Sequence, residues 1–107
     1  MPRQPAIYIL ANVYRTIYIG VTAEIEQRLW HHRHGKEVSW AQRYGLDRLV
    51  YYELFPDMTS AIARETQLKK WNRSKKLKLI ERMNPQWLDL AVHWEKESIP
   101  IPRLRSE

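Results

Sequence analysis

The residue with the clearest chemical potential is an acid on an apolar helix face. Glu65 lies three residues after Ile62 and three before Leu68, so helical periodicity places its carboxylate in the middle of an apolar arc. A carboxylate in that position is costly unless it is paired with a cation or bound to a metal. One interpretation is a salt bridge to Arg28 or to a lysine. The other is a ligand for Mg²⁺ or Mn²⁺, which keep open positions for water and phosphate oxygens.

Four further side chains are suited to phosphate chemistry. Arg28 and His32 are four residues apart on a predicted helix and therefore share a face. Tyr8 and Tyr18 lie ten residues apart in two predicted strands, and a hairpin between those strands would bring both hydroxyls to one region. Taken alone, the arginine and histidine are typical of a helix surface and the tyrosines of a core. By themselves, these residues leave the structural and the catalytic interpretations open.

The positive charge of the chain is concentrated in one segment. Eight basic residues lie between Arg64 and Arg82, opposed only by Glu65 and Glu81, so this segment carries +6, which is also the formal net charge of the whole chain. Clustered lysines and arginines gain affinity for nucleic acid by releasing its counterions. The segment therefore predicts a phosphate-binding surface, with a solvated helix face as the alternative. A membrane surface is disfavoured because the lysines lack a broad Trp/Leu face opposite them.

Length and composition exclude several classes of protein. The 107 residues suffice for one small domain with a modest core. The absence of cysteine excludes a disulfide-bonded scaffold, a zinc ribbon and a thiol nucleophile. No apolar run approaches the roughly 18 residues of a membrane span, and the N-terminal residues lack the apolar stretch of a signal peptide. We therefore expect a cytoplasmic protein without membrane or disulfide partners.

The first third of the chain predicts a hairpin followed by a helix. Two short runs of β-branched, aromatic and other apolar residues, 6–10 and 17–21, predict antiparallel strands joined by a polar turn over 12–16. Because both runs are almost entirely apolar, both faces of each strand should be covered. Thr22 is a candidate N-cap, and acids in the next turn complement the helix dipole. This helix should continue to about His34.

The middle of the chain predicts a third strand and a second helix. Residues 49–55 form another β-branched and aromatic run, which Pro56 ends. Either Asp57 or Thr59 is a suitable cap for the helix that follows. This helix should continue to about Asn72 and carries Glu65.

The last third predicts two more helices and a tail. Ser74 should begin a helix that ends at Asn84, where a proline follows. Residues 86–97 favour a short helix whose tryptophans pack inward, and the residues after it are extended and loose. The order of the main elements is β-β-α-β-α-α. It indicates an α/β (α+β) fold with an antiparallel or mixed three-stranded sheet flanked by helices.

Taken in order along the chain, these residues resemble a known family. Ala6-Ile7-Tyr8 is followed by Tyr18-Ile19-Gly20, and then by Arg28, His32 and the distant helical Glu65. This series of motifs resembles the GIY-YIG endonuclease family over most of the chain. It is most similar to the small single-domain branch of that family. More distantly, it is similar to the nuclease domain of a bacterial excision-repair subunit and to those of homing endonucleases.

The resemblance implies metal-dependent hydrolysis of DNA phosphodiester bonds. Tyr18 would be the general base and Tyr8 its hydrogen-bonding partner. Arg28 would stabilise charge on phosphorus, and His32 would assist proton transfer. Glu65 would be the sole protein ligand of Mg²⁺ or Mn²⁺. Because an ordinary tyrosine has a pKa near 10, a base at this position needs positive charge beside it.

The resemblance also implies the organisation of the chain and its substrate. A nuclease domain built on a three-stranded antiparallel sheet would span residues 6–88, with extensions at 1–5 and 89–107. Apart from the resemblance, we expect a monomer that acts on branched, damaged or single-stranded DNA, in repair or recombination. We expect flanking phosphates to be bound by seven basic residues: Lys36, Arg43, Lys69, Lys70, Arg73, Lys75 and Lys76.

Departures from the family pattern leave alternatives open. The first motif begins with Ala6 where the family has glycine. We expect the site to tolerate this change because the alanine side chain is small. Many relatives carry an asparagine late in the domain, and both Asn72 and Asn84 are candidates for it. Larger family members take their target choice from an attached DNA-binding domain, which is not seen here, so the target specificity is left open. The main alternative is a non-catalytic nucleic-acid-binding module on the same fold. A protein-interaction domain that docks a partner through Trp87 and Trp94 is a weaker one.

Overall fold

The computed structural model describes residues 4–34 and 44–91, and only the backbone of residues 31–34. In this part of the chain the element order is β-β-α-β-α-α, as predicted. The strands are β1 (Ala6–Ala11), β2 (Ile17–Thr22) and β3 (Arg48–Leu54), and the helices are α1 (Ile25–His34), α2 (Met58–Lys70) and α3 (Arg73–Met83). None of these helices is long and apolar enough to cross a membrane.

The three strands form one antiparallel sheet in the order β2-β1-β3. Every residue of the central strand β1 is buried, as expected of a strand covered on both faces. In β2 only Ile19 and Gly20 are buried, because β2 lies at the edge of the sheet. The register between β1 and β3 shifts after Ile9, and Val50 is the extra residue of β3, which makes a β-bulge there.

The side chains of β1 alternate between two separate cores. Ile7 and Ile9 face α2 and α3, whereas Tyr8 and Leu10 face α1 and the chain around Leu46. This alternation follows from the two-residue repeat of a strand. It places Tyr8 on the face of the sheet that α1 covers.

Side-chain caps determine where α2 and α3 begin. Asp57 Oδ1 accepts a hydrogen bond from the Ser60 amide at 2.7 Å, so the aspartate and not the later threonine caps α2. Asn72 Oδ1 accepts from the Lys75 amide at 2.8 Å and caps α3. As a result α2 ends two residues before the predicted position, and α3 begins at Arg73, one residue before it.

The segment after α3 differs from the prediction. The helix expected over 86–97 is wrong for the described part, because residues 85–91 form turns and irregular backbone. Trp87 adopts a φ of 58°, which a right-handed helix does not allow. Trp87 is nevertheless buried in the core with Ile80, so the prediction that it packs inward is confirmed. Trp94 and the tail lie outside the described residues.

Candidate functional site

The Tyr8 side chain lies across Gly20 at the centre of the candidate site. The two residues face each other in the β1–β2 pair. A methyl group on Gly20 would lie 2.5 Å from both Cζ and the hydroxyl oxygen of Tyr8. Glycine is therefore the residue that leaves room for the phenol to pass over the edge strand.

Helix α1 brings Arg28 to the Tyr8 hydroxyl. Arg28 Nε donates a hydrogen bond to this oxygen at 3.2 Å. Burial raises the pKa of Tyr8, and this outweighs the lowering effect of the Arg28 hydrogen bond and charge. Tyr8 therefore remains a protonated phenol that accepts from Arg28 and keeps a proton to donate within the site.

Tyr18 lies on the same face as Tyr8. Tyr18 is paired with Leu10 across the strands, and the two tyrosine rings are tilted by 48° with centroids 6.3 Å apart. The hydrogen bond to Tyr8 is the main cause of the raised pKa of Arg28, and interactions with Tyr8 and Tyr18 add to it against the effect of burial. Arg28 is thus a permanent cation in contact with both phenol groups.

Glu65 reaches the same region from α2, 57 positions after Tyr8 in the sequence. Burial is the main cause of the raised pKa of Tyr8, and the negative charge of Glu65 adds to it, so the carboxylate lies within electrostatic reach of the phenol. The Glu65 side chain is 17% exposed. Leu68 is buried but Ile62 is 46% exposed. Glu65 therefore lies at the rim of the apolar core and not in its middle.

A lysine one helical turn away pairs with this carboxylate. Lys69 Nζ lies 3.1 Å from Glu65 Oε2, and the lysine side chain is 54% exposed. The salt bridge expected at Glu65 is therefore made by a lysine, while Arg28 binds Tyr8. The ammonium end of the pair is open to water, because more than half of the Lys69 side chain is exposed. Lys69 can swing into water at little cost and leave the carboxylate to another cation.

The donor atoms at this position fit a hard divalent cation. The Glu65 carboxylate offers oxygen ligands of the kind that Mg²⁺ and Mn²⁺ prefer. Within residues 4–34 and 44–91, no three His, Asp or Glu side chains come together as a metal cluster. A cation at Glu65 would therefore keep most of its positions for water and phosphate, which suits Mg²⁺ or Mn²⁺.

The remaining candidate residues have different outcomes. His32 belongs to α1, one helical turn after Arg28. Lys36 and Arg43 lie outside the described residues. Asn72 caps α3, and this gives its side chain a structural role.

Asn84, the other candidate asparagine, is 4% exposed and supports the backbone. Its Nδ2 donates to the Val50 oxygen at 3.1 Å and to the Leu88 oxygen at 2.8 Å, and its Oδ1 accepts from the Leu88 amide at 3.0 Å. The amide thus holds the segment after α3 against β3. This structural use accounts for a buried asparagine without any catalytic role.

Five of the predicted phosphate-binding residues meet where α2 ends and α3 begins. We call this group the basic junction: Lys69, Lys70, Arg73, Lys75 and Lys76. Lys75 Nζ also lies 4.2 Å from the centroid of the Trp71 ring. No acid occupies the first turn of α3, although a helix dipole favours negative charge there. The cations at the start of α3 therefore oppose its dipole, whereas Lys69 and Lys70, in the last turn of α2, complement the dipole of that helix.

One cluster was not expected from the sequence. Arg64 Nε and Nη2 donate to the two carboxylate oxygens of Glu53 at 3.0 Å each, and the Tyr51 hydroxyl donates to the same carboxylate. This bidentate ion pair links α2 to β3. It restrains the rotation of α2 on which the direction of the neighbouring Glu65 depends. The signal was available, because Tyr51 and Glu53 are two apart on a strand and share its face.

Comparisons with known proteins agree on one family and one fold. Residues 4–78 match the model of the GIY-YIG catalytic domain. A UPF0213 protein of Syntrophus aciditrophicus is 37% identical over 84 residues, which cover 75% of this chain and 92% of that protein. For a UPF0213 protein of Staphylococcus saprophyticus the identity is 35% over 74 residues, covering 69% and 90%. The solution NMR structure of a UPF0213 protein of Bacillus halodurans is similar with a TM-score of 0.54 and 26% identity, covering 83% of this chain and 96% of that one.

Proposed function

Because the chain belongs to the GIY-YIG family, we propose that it is a metal-dependent endonuclease that hydrolyses DNA phosphodiester bonds. The observation that carries the proposal is the grouping of two phenols, a guanidinium and a carboxylate from four different elements. Hydrolysis of a phosphodiester needs an activated water, a cation for the charge that develops at phosphorus, and a stabilised leaving oxygen. Phenols, a guanidinium and a metal-binding carboxylate are groups that can meet these three requirements.

In this proposal the two tyrosines handle the proton of the attacking water. Tyr18 accepts that proton in its phenolate form, next to the Arg28 guanidinium, and becomes a neutral phenol. The Tyr8 hydroxyl, its hydrogen-bonding partner, donates to the Tyr18 oxygen and stabilises the phenolate before the transfer. Arg28 donates to the non-bridging phosphate oxygens, a task that suits a permanently charged fork of donors. His32, one turn further along α1, is the candidate for proton transfer to the leaving oxygen.

Glu65 would bind Mg²⁺ or Mn²⁺ after Lys69 moves away from it. When bound, the metal would supply Lewis-acid polarisation of a phosphate oxygen. The basic junction would bind the neighbouring phosphates without reading the bases. We expect the substrate to be branched, damaged or single-stranded DNA, cleaved during repair or recombination.

Nicking of supercoiled plasmid and cleavage of branched oligonucleotides, with Mg²⁺ or Mn²⁺, test this function. We expect Arg28→Ala and Glu65→Gln each to lower the rate by about 100-fold or more, the range seen when one group that stabilises transition-state charge is removed. Glu26→Gln, in the first turn of α1, is the matched control and should cleave at the wild-type rate. Metal-dependent cleavage that is unchanged in both site variants would reject the assignment.

The Glu65–Lys69 pair favours a second candidate, a non-catalytic module that binds nucleic acid through the basic junction. If the lysine occupies the carboxylate permanently, no metal binds there. Calorimetric titration with Mn²⁺ separates the two functions. If Glu65 is a metal ligand, Lys69→Ala should bind Mn²⁺ more tightly than the wild type and Glu65→Gln should bind it more weakly. Salt-dependent DNA binding without Mn²⁺ uptake or cleavage would support the module.

A further inference from the structure

Three large side chains at one end of the sheet are exposed to solvent. Val13 and Tyr14, in the turn of the β1–β2 hairpin, are 69% and 84% exposed, and Tyr44 is 53% exposed. Tyr44 is next to the turn because Asn12 Nδ2 donates to its carbonyl oxygen at 2.9 Å. Single exposed apolar residues are ordinary, but a group of them indicates a contact surface. We call Val13, Tyr14 and Tyr44 the aromatic tip.

The turn that carries Tyr14 is fixed by its own hydrogen bonds. Asn12 Oδ1 accepts from the amides of Tyr14 at 2.9 Å and Thr16 at 3.1 Å, and the Arg15 amide donates to the Asn12 carbonyl at 3.0 Å. A tyrosine on an ordered turn loses little conformational entropy when a ligand packs against its ring. The aromatic tip is therefore suited to binding and is not merely an exposed loop.

The aromatic tip is also joined to the basic junction. Arg73 Nη2 donates to the Arg15 carbonyl at 2.7 Å. The Arg15 guanidinium lies over the Trp87 ring, 4.8 Å from its centroid. The turn is thereby fixed to the first residue of α3, where the cations of the junction begin. An exposed aromatic surface and a phosphate-attracting surface are thus continuous.

The aromatic tip is close to the candidate site along the same strand. Thr16 ends the turn and Tyr18 follows two residues later, about 7 Å further along extended chain. A nucleic acid whose phosphate lies at the candidate site can therefore extend over the turn. Inside a duplex each base is stacked between its neighbours, so away from the duplex ends only unpaired bases can stack on a protein ring.

We propose that the aromatic tip binds unpaired bases of DNA by stacking on Tyr14, and so directs the candidate site to DNA with single-stranded regions. The inference rests on the proposed function, since it narrows the substrate of that site. The combination of a cationic surface with exposed aromatic rings is what binding of single-stranded nucleic acid requires. Phosphates meet the basic junction while bases meet the rings.

Binding of fluorescent oligonucleotides, measured by anisotropy in EDTA so that no cleavage occurs, tests the inference. The ligands are oligothymidylate, an abasic oligomer of equal length, and a fully paired duplex. We expect wild type to bind oligothymidylate more tightly than the abasic oligomer by about fivefold or more. Tyr14→Ala should abolish this preference and Tyr14→Trp should keep it. Leu54→Ala, at the other end of the sheet and 52% exposed, should leave the preference unchanged.

The alternative outcomes distinguish a failure of this inference from a failure of the proposed function. Equal binding of oligothymidylate and abasic oligomer to wild type would overturn the inference, while plasmid nicking that depends on Arg28 would leave the proposed function standing. A preference that survives Tyr14→Ala would also overturn it. A dimer that light scattering detects in the wild type, and that Tyr14→Ala alone dissociates, would also overturn the inference. The aromatic tip would then bind a second copy of the chain. Absence of binding to all three ligands, together with absence of nicking, would reject the proposed function as well.

Discussion

The phenol of Tyr8 occupies the volume into which any side chain at Gly20 would project. Replacing a strand glycine by alanine ordinarily stabilises a protein by about 0.5–1 kcal/mol, because glycine has more backbone freedom to lose on folding. At Gly20 the sign should reverse, since the added methyl would lie 2.5 Å from two atoms of Tyr8. Overpacking of this kind costs about 1–3 kcal/mol.

We therefore expect Gly20→Ala to lower the free energy of unfolding by about 1–2 kcal/mol and to reduce nicking. Nicking falls because the displaced Tyr8 hydroxyl moves away from Arg28. Urea denaturation and the plasmid assay measure the two effects. In the background of Tyr8→Leu, which lacks the two clashing atoms, Gly20→Ala should cost much less. An equal cost in both backgrounds would contradict the steric explanation.

At the scale of secondary-structure elements, the contacts that place α2 decide where Glu65 lies. Burial alone would raise the pKa of Glu53, but the Arg64 hydrogen bonds and the Tyr51 hydroxyl outweigh it and the pKa is lowered. The carboxylate therefore stays ionised and keeps its hold on Arg64. Trp71, which follows α2, packs under the Arg64 guanidinium at 5.3 Å. Strand β3, helix α2 and the start of α3 are joined through this one group of side chains.

Tyr51 offers a pH test of this group. Burial, helped by the hydrogen bond to Glu53, raises the pKa of Tyr51 from 10.0 to about 12. Because the folded-state pKa is the higher one, the folded state favours the protonated phenol. Its contribution to stability is complete below pH 10 and is lost as the pH rises toward about 12. We expect the free energy of unfolding to fall over this range.

Tyr51→Phe isolates this contribution. The variant has no phenol to ionise, so its free energy of unfolding should fall less steeply above pH 10 than that of the wild type. Urea denaturation at a series of pH values from neutral upward measures both curves. Two parallel curves would show that Tyr51 does not carry this part of the pH dependence.

At the scale of the whole molecule, the arrangement of charge sacrifices some helix stability for a cationic surface. Asn72 caps α3, yet the first turn that it begins contains Arg73 and Lys75 and no acid. Cations at that end oppose the helix dipole. The formal net charge of +6 is equal to the charge of the segment between Arg64 and Arg82. Binding of an anion there would relieve the repulsion among these cations.

Ser74→Glu separates stability from binding, because it adds an acid in the first turn of α3 and beside the basic junction. We expect an increase in the free energy of unfolding of about 0.3–1 kcal/mol, from the helix dipole and a pair with Lys78. DNA binding should weaken, and the slope of log K against log salt should fall by about 1. Ser74→Gln is the neutral control. A stabilised variant that binds DNA as tightly as wild type would contradict a role of the junction in phosphate binding.

Much of the fold could be predicted because its signals are local. The apolar runs of β1, β2 and β3, the aspartate before α2 and the order of the elements all depend on residues close in sequence. The motif residues Tyr8, Tyr18, Arg28 and Glu65 could likewise be found, since their types and order are written along the chain. Where tertiary contacts override a local signal, the prediction is wrong. The apolar spacing of residues 86–97 favours a helix, but in the described part the Asn84 side chain binds the Leu88 backbone and Trp87 has a positive φ.

Only the tertiary structure determines which partners those residues have. Three such contacts depend on how the sheet is covered. They are the pairing of Glu65 with Lys69 instead of Arg28, the support of the backbone by Asn84, and the need for glycine at position 20. Such contacts join parts of the chain that are dozens of residues apart, as Tyr8 and Glu65 are. Their energies come from burial and from distances across the fold, and neither quantity exists until the chain has folded.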